Sequence, residues 1–380
     1  MVNTRLNRVL LVLLGAGCLD ACGLETPQVR KATFDAESVV RVGPAEVVLA
    51  TKDKPYSWPD GTIGIIHEQD AYSFFAAGPG RPIRTGGTLD NPVANGAQIQ
   101  EIAGLRNDYP YAAGGRIYQD PKTGSLLLFY HAEIHTFPPG YIPFFSEIGL
   151  AHSTDGGRSW HDLGPIVRPH TPVSASYFQK GGTWDVGWGT YALAGEYFYL
   201  YFADLLQDGD EYARVNFAVA RAKVSDVIEA AVNQRQAWPW MKYYDGAWTE
   251  PGLGGRSTAL VEQGEDSFMP SDVAFNACAR KYTAVILGTP FPDADLYWSE
   301  SADGLTWNPV KKIVGDEGEQ IYATLIGMGE DPHLTGREFF IYYIDSKEGG
   351  KAGDRNQDAV LMRRRLSLEN ISCFGSSHES

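Results

Sequence analysis

Short runs of aliphatic and aromatic residues recur along the chain, and each is bounded by Gly, Pro or Asp. Such runs are typical of β-strands, because branched and flat side chains pack well on a pleated surface. The five strongest runs are 71–77, 125–131, 196–202, 281–287 and 338–344. Each follows a turn signal and an earlier run of the same kind; these earlier runs are 64–67, 115–118, 189–192, 272–275 and 323–326. The pattern therefore predicts the same hairpin five times.

After the last four hairpins comes a third predicted strand, at 148–152, 216–220, 295–298 and 359–362. A small repeated sheet buries its apolar faces only by packing against its neighbours, so five copies predict an all-β fold, a five-bladed β-propeller. Helix is predicted only from Val224 to Gln234, where a Ser signals the start and apolar residues follow helical spacing. A long loop rich in aromatic residues, 235–265, follows this helix.

Two turns carry a further mark of propellers. Residues 153–160 fit the Asp-box pattern SxDxGxxW, and residues 301–307 form the same turn one residue shorter. In this motif the Asp accepts hydrogen bonds from turn amides, the Gly takes a positive φ and the Trp fills the gap between neighbouring sheets. Fourth strands are predicted after the turns, at 162–167 and 310–314. The Asp-box turns are therefore expected on the outer rim, in a structural role.

Composition agrees with a β-sheet protein that has a large core. Hydrophobic residues make up 43% of the chain and aromatic residues 12%, beside 42 Gly and 22 Pro, which excludes a disordered chain. The net charge is −15 and the sequence pI is near 5.0. A nucleic-acid partner needs basic patches to meet the phosphate backbone, so none is predicted.

The first residues have the features of an export signal. Arg5 and Arg8 precede an apolar run, 9–17, that is too short to span a bilayer. The string 19–22, Leu-Asp-Ala-Cys, resembles a bacterial lipobox, whose Cys becomes the acylated first residue. We therefore predict a lipoprotein-type signal peptide at 1–21 and a bacterial protein that is exported. Cys22 would be its only attachment to a membrane, and ordinary secretion is the alternative.

The mature chain is expected to consist of an N-terminal segment, 22–50, and one propeller, 51–375, forming a monomer. Besides Cys22, it retains Cys278 and Cys373. In an oxidising compartment these two cysteines would form a disulfide that ties the C-terminus to the propeller. Two separate buried thiols are the alternative.

This layout resembles the five-bladed propeller glycosidases of glycoside hydrolase families 43, 32, 62 and 68. The resemblance covers nearly the whole mature chain and rests on blade count and on acids at strand starts. In those families an Asp before the first inner strand is the base or nucleophile, an Asp at the third blade adjusts a pKa or holds the sugar, and a Glu farther on donates the proton. By position, the resemblance implies Asp60 and Asp185 for the first two roles. Asp272 stands where those families have Glu, and the nearest Glu is Glu250, so the acid stays open between them.

Further side chains are expected to contact the sugar. His131, Glu133 and His135 alternate along one strand and therefore share a face; a rim of sugar contacts, a structural pairing and a divalent metal site are all open. Arg116 is expected to grip a carboxylate or hydroxyls, with an ion pair to an acidic neighbour as the alternative. The predicted substrate-binding residues are Asp108, Arg116, His131, Glu133, Trp188 and Trp248. No cofactor is predicted, although relatives often hold a structural cation on the propeller axis.

The function predicted from the sequence is that of a secreted or surface-anchored glycoside hydrolase acting on a polysaccharide or oligosaccharide, with furanose sugars implied by the resemblance. One alternative is a sialidase-like exo-glycosidase, because Asp-boxes are a hallmark of sialidases and residues 115–118 are similar to a strand of that family. Sialidases, however, have six blades, three arginines and a Tyr nucleophile. The other alternative is a carbohydrate-binding propeller without catalysis. An enzyme requires two carboxyl groups about 5–10 Å apart at one axial pocket.

Overall fold

A computed structural model gives the fold of the chain and describes residues 38–135, 144–170, 183–208, 211–261, 267–288, 294–315, 318–346, 359–371 and 373. The predicted signal peptide and Cys22 lie outside these ranges. No helix within the described residues is both long and apolar enough to cross a membrane.

In chain order the strands are β1 (Val39–Leu49), β2 (Gly64–Glu68), β3 (Ala71–Ala77), β4 (Pro82–Gly87), β5 (Ala97–Ile99), β6 (Ile102–Ala103), β7 (Tyr111–Gln119), β8 (Leu126–Ile134), β9 (Phe145–Ser153), β10 (Trp160–Val167), β11 (Thr183–Ala194), β12 (Tyr197–Asp208), β13 (Glu211–Lys223), β14 (Met241–Tyr244), β15 (Ala247–Pro251), β16 (Phe268–Asn276), β17 (Lys281–Gly288), β18 (Leu296–Ser301), β19 (Lys311–Val314), β20 (Glu319–Gly327), β21 (Leu334–Thr335), β22 (Glu338–Ser346) and β23 (Val360–Glu369). A short helix, α1 (Val224–Glu229), continues as a π-helical turn, Ala230–Gln234.

These strands form a five-bladed β-propeller, as the sequence predicts. Blade 1 consists of β2–β5, blade 2 of β7–β10, blade 3 of β11–β15 and blade 4 of β16–β19. Blade 5 combines β20, β22 and β23 with β1. The short strands β6 and β21 pair in parallel with β10 and β16. The first strand of each blade, at the axis, is called its inner strand below: β2, β7, β11, β16 and β20.

Besides β1 and the short strands β6 and β21, two regions contain more sheet than the sequence pattern predicts. Blade 1 has a third and a fourth strand, β4 and β5, where Pro82 and paired glycines obscure the strand signal. The region 235–265, expected to be a loop, contains the hairpin of β14 and β15, which adds to the outer edge of blade 3. The helix lies where it was predicted.

Pairing of the chain ends closes the propeller. β1 runs antiparallel to β23, from Val39 opposite Glu369 to Leu49 opposite Leu361. Residues 39–49, which were expected in an N-terminal segment ahead of the propeller, therefore pair within blade 5. Cys278 and Cys373 form a disulfide, with their Cα atoms 4.2 Å apart. It joins the turn between β16 and β17 to the chain beyond β23, so of the two alternatives the structure has the disulfide.

Both Asp-box turns lie between the third and fourth strands of their blades. In the first, Asp155 Oδ1 accepts hydrogen bonds from the amides of Arg158 and Ser159, each at 3.0 Å. The ring of Trp160 is buried and meets Phe75 of blade 1 edge-on at 6.0 Å. In the second turn, Trp307 is buried against aromatic rings of blade 3. Each Trp therefore fills the gap to the preceding blade.

Four of the five inner strands share a local irregularity. Their pairing with the second strand shifts register between Gly114 and Ile117, Gly187 and Thr190, Pro270 and Asp272, and Ile321 and Thr324. Such a bulge turns the side chains that follow it to a new direction. In all four blades the shift turns a polar residue, at or just after it, toward the propeller axis.

An ion pair occupies the axis. Arg116 Nη2 lies 2.8 Å from Asp272 Oδ2, and neither side chain has any exposed surface. Thr190 Oγ1 accepts from Arg116 Nε and donates to Asp272 Oδ1, while the Leu325 amide donates to Asp272 Oδ2 at 2.8 Å. An ionised carboxylate only accepts, and this surrounding set of donors matches it. The pair therefore links blades 2, 3, 4 and 5.

Two further hydrogen bonds join blade 1 to the inner strands of blades 4 and 5. The Ile63 amide donates to Thr324 Oγ1 at 2.9 Å, and Thr62 Oγ1 donates to the Ser271 carbonyl at 3.1 Å. A Cβ at Gly115 would lie 1.6 Å from the Thr62 carbonyl oxygen, so only glycine allows blades 1 and 2 to approach this closely.

Two sequence-based assignments are corrected here. Arg116 was expected to grip substrate, and its alternative, an ion pair with an acidic neighbour, is what the structure shows. Asp272 was a candidate proton donor, but it is fully buried and all its contacts hold blades together. A residue with no exposed surface does not reach a sugar.

Asp272→Asn should lower the free energy of unfolding by about 3–5 kcal/mol, because it leaves the Arg116 charge buried without a partner. Denaturant unfolding of the purified variant measures this loss. The double variant Arg116→Met/Asp272→Leu should lose less than the sum of its single variants, since it removes both charges. Wild-type stability in Asp272→Asn would contradict the structural role.

Candidate functional site

The candidate site lies where the inner strands begin. Asp60 precedes β2 in a turn held by the buried Trp58, and its amide donates to the Ala77 carbonyl at 2.9 Å. The Tyr111 hydroxyl, at the first residue of β7, donates to Asp60 Oδ2 at 3.1 Å. This contact brings the starts of blades 1 and 2 together, and a donated hydrogen bond stabilises a carboxylate in its ionised form.

Asp185 lies near the start of β11, and 9% of its side chain is exposed. Ser146 of blade 2 donates to Asp185 Oδ1 at 2.6 Å and accepts from the Val186 amide at 2.8 Å, which fixes the carboxyl group. Burial raises the pKa of Asp185, against the opposing effects of His131 and Ser146. The negative charges of Glu133 and Asp204 add to the increase.

Glu133 lies between two histidines on β8. Its Oε1 is 3.3 Å from His131 Nε2, and its Oε2 is 2.6 Å from His135 Nε2. Although burial favours the neutral acid, the hydrogen bonds from His131 and His135 lower the pKa of Glu133 to about 2. Burial alone would lower the pKa of His131, but Glu133 and Asp185 together raise it to about 9. At neutral pH Glu133 is therefore an anion and His131 a cation.

Contacts connect Asp60 to Asp185 through these groups. The Tyr111 ring meets the His131 ring edge-on at 5.9 Å, and His131 Nδ1 lies 3.9 Å from Asp185 Oδ1. Four of the residues predicted from the sequence thus form one continuous cluster from blades 1, 2 and 3: Asp60, His131, Glu133 and Asp185. We call these four residues and Tyr111 the rim cluster.

Glu250 does not belong to the rim cluster. It lies on β15, the outermost strand of blade 3, where Arg256 pairs with it at 2.9 Å. Hydrogen bonds from the backbone and side chain of Arg256 lower the pKa of Glu250. The expectation that Trp248 and Pro251 would raise this pKa is therefore wrong, and Glu250 is not placed to donate a proton at the axis.

The other predicted contacts also have different neighbours. Trp248 packs against the ring of Tyr199 at 5.1 Å and under the Arg221 guanidinium at 4.4 Å, within blade 3. Asp108 is exposed and pairs with Arg106 at 2.6 Å. Trp188 is part of β11, but its side chain lies outside the described part of the structure.

Three contributors to the site were missed by the sequence reasoning. Tyr111 and Ser146 hold Asp60 and Asp185, yet a Tyr or Ser in a strand carries no signal of its own. Tyr322 lies in the register shift of β20 with φ +57°, which a non-Gly residue rarely adopts. Burial raises the pKa of Tyr111, and the negative charges of Asp60 and Glu133, with a smaller effect of Tyr322, add to this. Strain of this kind is concentrated at functional sites.

The described residues do not fit a divalent cation. None of them forms a group of three His, Cys, Asp or Glu side chains that could hold a metal ion. At the axis Arg116 already supplies a positive charge to Asp272. In the trio of His131, Glu133 and His135, the histidines bond to the carboxylate itself. The structure therefore favours pairing within the trio over a metal site.

No protein-family model matches the chain, and no curated protein matches it. Among solved structures, an α-L-arabinofuranosidase from Lactobacillus brevis is 13% identical, with 87% of this chain and 94% of that one covered and a TM-score of 0.50. A family 117 glycoside hydrolase of the marine bacterium Zobellia galactanivorans is 10% identical, with 87% and 90% covered and a TM-score of 0.51. An N-acetylgalactosamine deacetylase from F. plautii is 10% identical, with 87% and 90% covered and a TM-score of 0.41.

At these identities the likeness shows the fold. The chain is a five-bladed β-propeller with the layout of glycoside hydrolase structures, which confirms the resemblance in layout predicted from the sequence. It does not have the six blades of the sialidase-like alternative. Because one fold hosts many activities, the reaction has to be argued from the rim cluster.

The paired charges of Glu133 and His131 should make the free energy of unfolding depend on pH. In the folded protein the pKa of Glu133 is about 2, below the ordinary 4.5. Its contribution to the free energy of unfolding is therefore complete above about pH 4.5 and is lost as the pH falls toward 2. The folded pKa of His131, about 9, is above the ordinary 6.5, so its contribution is complete below about pH 6.5 and lost toward pH 9.

The melting temperature of the wild type should therefore exceed that of Glu133→Gln most between about pH 4.5 and 6.5, and the difference should shrink on both sides. Calorimetric melting scans of both proteins from about pH 2 to about pH 9 measure this difference. A difference that stays constant from acid to alkaline pH would show that the charges of the cluster do not stabilise the fold.

Proposed function

We propose that this protein is a glycoside hydrolase that cleaves a glycosidic bond in a polysaccharide or oligosaccharide. The observation that carries the proposal is the convergence of Asp60 and Asp185, from blades 1 and 3, on one rim connected by Tyr111 and His131. Hydrolysis of a glycosidic bond needs two carboxyl groups in different protonation states. The choice of furanose sugars rests on the resemblance to propeller glycosidases.

Asp185 is the proposed proton donor. Its burial and its anionic neighbours favour the neutral carboxylic acid, which a general acid needs before the reaction. Ser146 holds the carboxyl group in place at 2.6 Å. This assignment replaces Glu250 and Asp272, whose positions at the blade edge and in the buried axis exclude contact with the same sugar.

Asp60 is the proposed base or nucleophile. It is more exposed than Asp185, and the hydrogen bond from Tyr111 stabilises its ionised form. In the reaction the anomeric carbon loses its bond to the leaving oxygen, which takes the proton of Asp185. In direct attack, Asp60 takes a proton from water as the water oxygen bonds to that carbon. In the covalent route, Asp60 first bonds to the carbon; water then displaces it, the bond to Asp60 breaks, and the proton of water returns to Asp185.

Asp60→Asn and Asp185→Asn should each lower kcat by at least about 10²-fold, the usual contribution of general acid–base groups. A panel of furanose-containing polysaccharides and aryl glycosides, assayed by released reducing sugar or aryl group, identifies the substrate and measures the loss. Melting temperatures close to wild type in both variants would separate a catalytic from a structural effect.

Glu250→Gln is the matched control, because it removes a carboxylate of the same fold that lies outside the rim cluster; its turnover should stay near wild type. If Asp60→Asn and Asp185→Asn also keep wild-type turnover, the assignment is wrong. Binding of a polysaccharide without hydrolysis by any form of the protein would favour the carbohydrate-binding alternative.

We also propose that the protein is exported and anchored through Cys22. The disulfide between Cys278 and Cys373 supports an oxidising compartment, where such bonds persist. Expressed in a bacterial host, the full chain should accumulate as an unprocessed precursor when globomycin blocks the lipoprotein signal peptidase. Processing that globomycin does not affect would leave secretion but remove the anchor, and a Cys22→Ser chain serves as the control.

A further inference from the structure

His131 stands between two carboxyl groups that belong to different blades. Its Nε2 lies 3.3 Å from Glu133 of blade 2, and its Nδ1 faces Asp185 of blade 3, with 3.9 Å to Oδ1. The side chain is 21% exposed, so it borders the rim and is partly shielded from water. His135 also bonds to Glu133, but through the other carboxylate oxygen, Oε2.

We propose that His131 is a positioning residue of the hydrolase, which stabilises the Asp185 carboxylate that forms when Asp185 gives up its proton. The inference deepens the proposed function and rests on it for the role of Asp185. Glu133 holds the imidazole in its charged form and orients its other nitrogen toward Asp185. His131 acts through Asp185 and has no assigned contact with the sugar.

Proton transfer from Asp185 carries an electrostatic cost. A buried general acid becomes a buried anion after it has donated, and an unpaired buried anion is unfavourable. Asp185 is nearly buried, and the anions Glu133 and Asp204 oppose its ionisation. Among the groups that set the pKa of Asp185, His131 is the cation that faces it. An opposite charge within about 4–6 Å lowers the pKa of a carboxyl group by roughly 1–3 units.

The groups around His131 keep it charged. Glu133 on β8 accepts from Nε2, Asp185 on β11 faces Nδ1, and a hydrogen bond with the backbone of Val186 also raises the pKa of His131. The rings of Tyr111 on β7 and Phe144 pack edge-on at 5.9 and 6.3 Å. The neighbours of His131 thus contribute two carboxylates from two strands and two aromatic rings.

The first test needs no substrate. In the full-length protein labelled with ¹³C at histidine Cε1, NMR titration follows the pKa of His131, assigned by the loss of its signal in His131→Gln. Asp185→Asn should lower this pKa by roughly 1 unit or more, because Asp185 has lost its proton at the alkaline pH where His131 titrates, and the variant removes that facing negative charge. Asp204→Asn is the control: Asp204 acts on Asp185 and is not among the groups that shift His131, whose pKa should stay at the wild-type value.

The second test uses the substrate found in the hydrolysis screen. His131→Gln should lower kcat and move the alkaline limb of the kcat/KM profile to higher pH, because the pKa of Asp185 rises when the facing cation is lost. His135→Gln, which also removes a partner of Glu133, should leave that limb in place. A change in packing alone would lower the rate without moving the limb upward.

The outcomes separate the two proposals. If Asp185→Asn leaves the pKa of His131 unchanged, or if His131→Gln leaves the limb unmoved or moves it to lower pH, the inference is overturned. If the titration shows the coupling but no glycoside is hydrolysed, the proposed function fails while the pairing of His131 with Asp185 stands. A coupled titration together with an upward shift of the limb supports both.

Discussion

The ion pair of Arg116 and Asp272 is the contact on which the rest of the propeller depends. Blades in this fold hold together side by side through apolar surfaces, which are tolerant of small sliding movements. The axial pair and its partners add directional contacts between four inner strands. Thr62 and Ile63, just before the inner strand of blade 1, bond to two of these four strands. A charge that is buried this deeply is costly to leave unpaired, so the inner strands are held in one mutual register. The rim cluster lies at the starts of these strands, so the same contacts fix the relative positions of its residues.

The contacts within the rim cluster are weaker than those of the axial ion pair. Asp60, Tyr111, His131 and Asp185 touch through a few hydrogen bonds, ring edges and one long charge contact. No single one of these contacts would fix the positions of side chains that come from three different blades. The axial contacts already join the blades, and the charged side chains of the rim cluster remain partly exposed, as His131 and Glu133 do at 21% and 15%. The axial contacts and the rim cluster thus form two layers near the starts of the inner strands.

The sequence predicts the blade pattern well because each strand of the repeated hairpins is a dense apolar run, as at 71–77, which the structure reproduces as β3. It misses β4 and the β14–β15 hairpin, whose glycines and exposed residues dilute the pattern. In the site, residue type and place before an inner strand point to Asp60 and Asp185, and the structure places both in the rim cluster. The same reasoning fails for Glu250, because its neighbours in sequence suggest an apolar setting, whereas its partner in space is Arg256.

Asp185 and Asp272 show why position before a strand is an incomplete guide. Both are aspartates near the start of an inner strand, but Asp185 precedes the register shift of β11, between Gly187 and Thr190, and Asp272 follows the shift of β16. Tyr111 also precedes a shift and lies at the rim, while Thr190 and Thr324 follow one and face the axis. Since a bulge redirects the side chains after it, one inserted residue separates a carboxyl group at the rim from one that is locked in the core. In this propeller the bulge, which leaves little trace in the hydrophobic pattern, decides which acids lie at the rim.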